Sequence, residues 1–377
     1  MKFKFVCSPE VISGKGSFET LGEVVRNLSG KNAFVVIDQA LSKTPLREKT
    51  EKTLEIHGIQ CVIFDKISSE PTTDTGNEAC ALARKHNCDI TIGIGGGSSL
   101  DTAKAVAGLI KNPGTIEDYQ GIDKLQFPSV PKIMVPTTAG TGSEVTFTAV
   151  FIRAREKKKA GINSKYLYPE AAILDALLTL SLPPSITAST GMDAFCHAIE
   201  SYLSKKASFL SKSVSMEAMK LIWKNLPVAF LDGNNVEARE NMLYASFLAG
   251  VGLANAGVTA VHSLSYPLGG LFGVPHGVGN AVLLPFVLES SLPHTKYAIE
   301  EIAQSLTGER INAVDFIHKL KNFEKSIGIP ESLKTLNIPE DSIPALIEGA
   351  MQVKVPLENH PVPLIEKDVQ RIYQSAF

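Results

Sequence analysis

The chain has 377 residues, 44% hydrophobic and 20% charged, which places it among soluble globular proteins and makes two domains the default over one core. Its formal net charge is -2, and its one basic triplet, Lys157-Lys158-Lys159, reads as a solvated turn, so nothing marks it for nucleic acid or an anionic membrane. The five cysteines (Cys7, Cys61, Cys80, Cys88, Cys196) form no CxxC pair, which fits a reducing, cytoplasmic setting and argues against disulfides or a thiolate zinc site.

The N-terminal MKFKFVCSPE lacks the long apolar stretch of a signal peptide. Beyond it, apolar runs alternate with helical patterns. AFVVI (33–37), CVIF (61–64), DITIGI (89–94) and KIMVP (132–136) are short, β-branched and bounded by turn residues, as buried parallel strands are. Amphipathic segments near 18–28, 43–57, 74–87 and 98–111 lie among them, and this alternation predicts an α/β domain with a mostly parallel sheet. After SLPPS (181–185) only long helical patterns follow, and Pro183-Pro184 can end one domain and open a helix. The expected organisation is an α/β domain over 1–181 and an all-helical domain over 182–377. Between Glu240 and Glu289 there is no Asp, Glu, Lys or Arg. Glycines, prolines and two histidines interrupt the run before about 20 clean apolar residues accumulate, so buried helices are expected there and not a membrane span.

ITIGIGGGSSLDTAKAVAG (90–108) reads as strand, tight turn, helix. Gly95, Gly96 and Gly97 allow close backbone approach, and the helix start offers N–H groups and a positive dipole end, which together favour a phosphate or pyrophosphate. The spacing fits the dinucleotide fingerprint only loosely, and such a turn can be purely structural. A second turn, TTAGTGSE (137–144), follows KIMVP at a strand's C-terminal end, where open α/β sheets bind ligands. Asp38 closes AFVVI. It could hold a ribose 2′-hydroxyl and repel the 2′-phosphate of NADP, and it could equally be a cap.

In MDAFCHAIE (192–200), Asp193 and His197 are four apart and share a helix face. An ordinary side-chain pair, a buried polar network and half a metal site all fit that spacing. His262 and His276 flank a glycine-rich connection in VHSLSYPLGGLFGVPHGVGN (261–280). Buried ionisable groups need a partner, and three imidazoles with one carboxylate suit Fe(II), Zn(II) or a similar first-row cation better than Mg or Ca. With room for one more oxygen, such a cation could hold an alcoholate or polarise a carbonyl. His57, His86, His294, His318 and His360 read as solvated. Phe151, Phe195, Leu253 and Phe272 are candidates for an apolar pocket wall.

GGGSSLDTAK (95–104), PTTAGTGSE (136–144), GMDAFCHAIES (191–201) and HSLSYPLGGLFGVPHGVGNAVLLP (262–285) together resemble the iron-containing, group III alcohol dehydrogenases, and the likeness runs through nearly the whole chain. The resemblance implies a Rossmann-like, parallel-sheet dinucleotide-binding domain, an all-helical metal-binding domain and a cleft between them. It puts the metal ligands on Asp193, His197, His262 and His276. It puts Gly95, Gly96, Gly97, Ser98 and Asp101 near the pyrophosphate, Thr137, Thr138 and Thr141 along the cofactor cleft, and Lys159 on the ribose. It sets Leu178, Thr179 and Leu182 beside the nicotinamide, and it makes Asp38 favour NAD over NADP. Two departures stand out: Tyr266 replaces a histidine that many members carry, so it is expected to shape the pocket or donate a hydrogen bond and not to act as an imidazole base. Asn359-His360-Pro361 stands where many relatives have Asn-Pro-Arg. The implied activity is hydride transfer between NAD(H) and a small alcohol or aldehyde whose oxygen is held by a divalent metal, Fe(II) or Zn(II), in a homodimer. Two other readings are a lyase like dehydroquinate synthase, disfavoured by the scarcity of Arg and Lys around the ligands, and a non-catalytic scaffold.

Overall fold

The computed structural model describes residues 2–68, 70–154 and 158–377. They form two compact units: one is Cys7–Leu180, and the other is Met1–Val6 with Ser181–Phe377. The first unit has nine strands: β1 (Glu10–Ser13), β2 (Asn32–Asp38), β3 (Gln60–Ile67), β4 (Ile90–Gly95), β5 (Gly121–Ile122), β6 (Lys132–Pro136), β7 (Thr148–Arg153), β8 (Lys158–Asn163) and β9 (Ala171–Leu174). Six of them make one parallel sheet in the order β1-β9-β6-β4-β2-β3; β5, β8 and β7 form a smaller sheet in which β7 runs antiparallel to β8. Its helices are α1 (Leu21–Asn27), α2 (Gln39–Ser42), α3 (Pro45–Ile56), α4 (Thr73–Lys85), α5 (Gly97–Lys111) and α6 (Ile116–Tyr119).

The strand β2 shows why this sequence builds a covered sheet. Ala33 to Ile37 are all fully buried. Successive side chains leave a strand on opposite faces. Phe34 and Val36 join a core with residues of α4 and α5, whereas Ala33, Val35 and Ile37 join a second core with residues of α1 and α3. Helices therefore cover both faces, as parallel sheets require. The chain leaves β2 for β3 on one side and then crosses back to place β4 on the other. The order reverses between β2 and β4, and in such sheets the crevice at the strands' C-terminal ends there is where ligands bind.

The helical unit comprises α7 (Pro184–Leu203), α8 (Phe209–Leu231), α9 (Val236–Ala256), α10 (Ala260–Phe272), α11 (His276–Thr307), α12 (Ala313–Ser326), α13 (Ile343–Gln352), α14 (Lys354–Asn359) and α15 (Glu366–Ala376), with no strand among its described residues. Pro184 opens α7, where a missing N–H costs nothing. Every residue of α7 from Gly191 to Tyr202 is buried, as expected of a helix surrounded by others. The chain's first residues group with this unit and not, as the sequence suggested, with the α/β unit. The carboxamide of Asn255 accepts from the Val6 N–H at 2.7 Å and donates to its carbonyl at 2.8 Å, clasping the backbone twice. No single helix among the described residues is long and apolar enough to cross a membrane; α9 and α10 would be so only together, and they meet at 107°.

Two of the proposed pocket aromatics are core residues. Phe151 is fully buried in the α/β unit, and Phe195 is fully buried beside Trp223, with ring centroids 6.3 Å apart. Leu253 is half-buried and Phe272 exposed. His360, read as solvated, is buried, with its Nε2 2.9 Å from the Ser291 hydroxyl. Of the basic triplet, Lys157 lies outside the described residues.

Candidate metal centre and nucleotide site

Three helices of the helical unit bring the metal candidates together. Asp193 and His197 stand one turn apart on α7, His262 lies in the first turn of α10, and His276 opens α11. Asp193, His262 and His276 offer ligand atoms that all lie within 4.8 Å of one another. The Asp193 Oδ1 is 3.8 Å from Nε2 of His197, 3.9 Å from Nε2 of His262 and 3.8 Å from Nε2 of His276. The His197 and His262 rings stack with centroids 4.8 Å apart, and the His276 ring stands edge-on to His262 at 5.1 Å. Asp193, His197 and His262 are buried, and the His276 side chain is 24% exposed, so this histidine marks the side of the cluster that solvent reaches. Burial alone would raise the pKa of Asp193, but the charges of His197, His276 and His262 and a hydrogen bond from Asn280 bring it down to about 2. A carboxylate ringed by three imidazole nitrogens is a donor set that fits a first-row divalent cation.

Two residues that sequence reasoning missed brace this cluster. Glu200, at the end of the same MDAFCHAIE stretch, is buried, and its Oε2 meets His262 Nδ1. Its Oε1 accepts from the Thr259 N–H at 3.0 Å, the Thr259 hydroxyl at 2.8 Å and the Val261 N–H at 2.9 Å. Burial would raise its pKa; the neighbouring His262 and these hydrogen bonds outweigh it, and the net direction is down. Asn280 donates from Nδ2 to Asp193 Oδ1 at 2.8 Å, while the Ser265 hydroxyl donates to its Oδ1. Both were findable by helical spacing: Glu200 is seven residues from Asp193 and three from His197, and Asn280 is four from His276. Tyr266 lies one turn after His262, its ring centroid 5.5 Å from that of His276.

In the α/β unit, the two glycine-rich turns form one place. Gly95 ends β4 at φ +147°, a conformation that side chains rarely adopt, and its carbonyl accepts from the Thr137 N–H at 2.9 Å. A Cβ on Gly97 would lie 2.6 Å from Thr141 Cγ2, so glycine here leaves room for the Thr141 side chain against the start of α5. Gly96 precedes α5, and no side chain caps that end. Thr137 is buried, and Ser98, Thr138 and Thr141 are partly exposed beside it. Asp38 stands at the end of β2, at the reversal of strand order, where its carboxylate accepts from the Ala40 N–H at 2.8 Å and caps α2.

The remaining cofactor candidates, Leu182 apart, are engaged inside the unit. Asp101 Oδ1 lies 3.1 Å from the buried Lys104 ammonium and accepts from the Ser143 hydroxyl, and its Oδ2 accepts from the Val150 N–H at 2.8 Å. Its visible role is to tie α5 to the second turn and to β7. Lys159, in β8, has its Nζ 2.6 Å from Glu70 Oε1. Leu178 packs on the sheet and Thr179 is buried, whereas Leu182 belongs to the helical unit, where its carbonyl accepts from Arg239 at 3.2 Å.

Known proteins share this arrangement. Residues 8–176 match the family model described as iron-containing alcohol dehydrogenase, and residues 187–377 match the model for the C-terminal domain of the Fe-containing alcohol dehydrogenase family. The chain belongs to the iron-containing alcohol dehydrogenase family. Long-chain-alcohol dehydrogenase 1 of Geobacillus thermodenitrificans (strain NG80-2) is 38% identical to it over 97% of this chain and 94% of that protein. The crystal structure of a 1,3-propanediol oxidoreductase superposes with a TM-score of 0.95 at 35% identity, covering 100% of both chains. The sulfoacetaldehyde reductase of Bifidobacterium kashiwanohense, solved with NAD+, gives a TM-score of 0.91 at 30% identity, covering 100% of this chain and 99% of that one. The protein is thus an alcohol dehydrogenase or aldehyde reductase of this family, and the lyase and scaffold readings are not favoured.

Proposed function

We propose that this family member interconverts a small alcohol and its aldehyde with NAD(H), using a divalent first-row cation held by Asp193, His197, His262 and His276. The observation that carries the reading is the meeting of a buried carboxylate with three imidazoles from three helices. Such a cation, when bound, acts as a Lewis acid toward an alcohol or carbonyl oxygen. The chain's own groups do the rest. Asp193 is held ionised, Glu200 and Asn280 fix two of the ligands, and the buried surroundings exclude water. Asp38, the Gly95–Ser98 turn and Thr137, Thr138 and Thr141 are assigned to the dinucleotide; Asp101 supports that turn through Lys104 and Ser143. Lys159 is assigned to the ribose, and Leu178, Thr179 and Leu182 to the nicotinamide side. Tyr266 is assigned to the substrate pocket as a hydrogen-bond donor. The acid at Asp38 favours NAD over NADP. Iron is the metal the family's description names; zinc is the second choice for this donor set. A homodimer in the cytoplasm completes the proposal, its mass to be read by light scattering.

The test is NADH consumption against a panel of aldehydes and 2-oxoacids after stripping the protein and reloading it with iron, zinc, manganese or nickel. His276→Ala should abolish turnover with NADH binding retained, and turnover by metal-free His276→Ala would end the proposal. Tyr266→Phe removes one neutral hydrogen bond, so kcat/KM should fall by no more than about tenfold, with metal content unchanged.

A further inference from the structure

We propose that Glu200 is a positioning residue that makes His262 a metal ligand by dictating which of its ring nitrogens carries the proton; this rests on the metal centre proposed above. The carboxylate serves two elements at once. Thr259 precedes α10, no side chain of its own caps that helix, and Glu200 supplies the cap from α7: its Oε1 receives the Thr259 N–H, the Thr259 hydroxyl and the Val261 N–H at 3.0, 2.8 and 2.9 Å. Its Oε2 reaches Nδ1 of His262, in the same first turn. An ionised carboxylate only accepts hydrogen bonds, so Nδ1 must carry the hydrogen. That leaves Nε2, the atom 3.9 Å from Asp193 Oδ1, with its lone pair toward the other ligand atoms.

The geometry separates this role from simple packing. In a Glu200→Gln protein, three donors still converge on the Oε1 position, so the amide oxygen must occupy it and the amide NH2 must face His262. The imidazole would then have to accept at Nδ1 and carry its hydrogen on Nε2. One nearly isosteric change therefore keeps the helix cap and inverts the tautomer.

Metal-stripped wild type, Glu200→Gln and Glu200→Ala are titrated with Zn(II) and with Mn(II) against a competing chelator, alongside metal-free thermal melts and NADH binding. Glu200→Gln should lose about 10- to 100-fold in metal affinity, the usual range for outer partners of metal-bound histidines, while its metal-free melting midpoint and NADH affinity stay at wild-type values. Glu200→Ala should lose both affinity and melting midpoint. Wild-type affinity in Glu200→Gln overturns the inference, as does an affinity loss matched by a lowered metal-free midpoint. If neither variant folds, nitrogen-15 histidine spectra of metal-free wild type, with His262→Gln for assignment, decide instead: the Nδ1–H tautomer supports the inference and a dominant Nε2–H tautomer overturns it. None of these readouts requires turnover, so a protein that reduces no aldehyde but shows the tautomer effect would refute the proposed function alone.

Discussion

Glu144 ends the TTAGTGSE turn with a carboxyl that has nowhere to put its charge. It is 1% exposed, its Oε1 has no hydrogen-bond partner, and burial pushes its pKa from 4.5 up to about 7, only partly countered by its own backbone N–H and by Lys104. Lys104 is already satisfied by Asp101, the Ser143 and Thr148 carbonyls and the Thr146 hydroxyl. Between pH 4.5 and 7 the unfolded chain ionises this group while the folded chain keeps its proton, so stability falls as pH rises through that window and then levels off. Glu144→Gln should remove the slope. At about 1.4 kcal/mol per tenfold change in acidity, it should stabilise the protein by roughly 3 kcal/mol at pH 8 but under about 1 kcal/mol at pH 5. Urea melts across that range would show parallel curves for the two proteins if the idea is wrong. At Asp38 charge and cap can be separated, because asparagine caps helices as well as aspartate does. Asp38→Asn should improve NADPH use relative to NADH by about tenfold or more, one 1.4 kcal/mol step, with thermal stability nearly unchanged; steady-state kinetics with both cofactors measure it. His262 and His276 stood out as candidates because imidazoles in a charge-free apolar stretch demand a partner, and Asp193 and His197 because they are four apart on one helix face. Glu200 was findable only through its spacing from Asp193 and His197, since a glutamate near a helix end normally reads as solvated. His360 misled for the same reason, its polar neighbours Asn359 and Glu358 concealing a buried position.

The elements that the sequence revealed are those with β-branched or strongly apolar runs, whether central like β2, β4 and β6 or at the sheet edge like β3. The strands β2, β3, β4 and β6 were visible as β-branched runs, and the reversal at β2 and β4 explains why both glycine turns and Asp38 meet. β1 escaped notice because it is a four-residue edge strand with mostly exposed side chains, and β9 because AAIL is short and half alanine. β7 and β8 escaped notice because they lie either side of the charged stretch 153–159, which reads as a solvated turn. Helix crossings are likewise invisible in sequence, and one of them brings His276 up to Asp193. A Cβ on Gly277 would lie 2.0 Å from the Ser189 carbonyl oxygen and 3.2 Å from Asp193 Cβ, so the first turn of α11 touches the backbone of α7 directly. A backbone oxygen cannot rotate away. Gly277→Ala should therefore force α11 off α7, costing about 1–3 kcal/mol and drawing His276, the preceding residue, away from Asp193. Denaturant melts and metal content should fall together. Gly97→Ala meets a side chain instead, so adding Thr141→Ala should recover much of its loss. Unaltered metal binding in Gly277→Ala would show that the crossing does not set the cluster.

The two units have separate cores and carry separate sets of candidate ligand residues, and the proposed division of ligands can be read calorimetrically. The unit Cys7–Leu180 holds every dinucleotide candidate except Leu182, and the helical unit holds all four metal candidates. A ligand that binds only the folded form stabilises it by RT ln(1 + [L]/Kd), about 2.7 kcal/mol at a hundred times Kd. For units of this size that corresponds to a rise of roughly 5–10 °C in the transition of the unit that binds it. NADH should therefore raise the melting of Cys7–Leu180, and the reloaded metal should raise that of the helical unit. The reporters are distinct: Trp223, the chain's single tryptophan, stacks on Phe323 in the helical unit with ring centroids 4.4 Å apart, so its fluorescence follows that unit alone. His276→Ala should cancel the metal-induced shift in tryptophan-detected melting and leave the NADH-induced shift of the other transition in place. If both ligands moved a single transition together in wild type, and His276→Ala weakened both effects equally, the two units would be one thermodynamic body and the assignment of one ligand to each would fail.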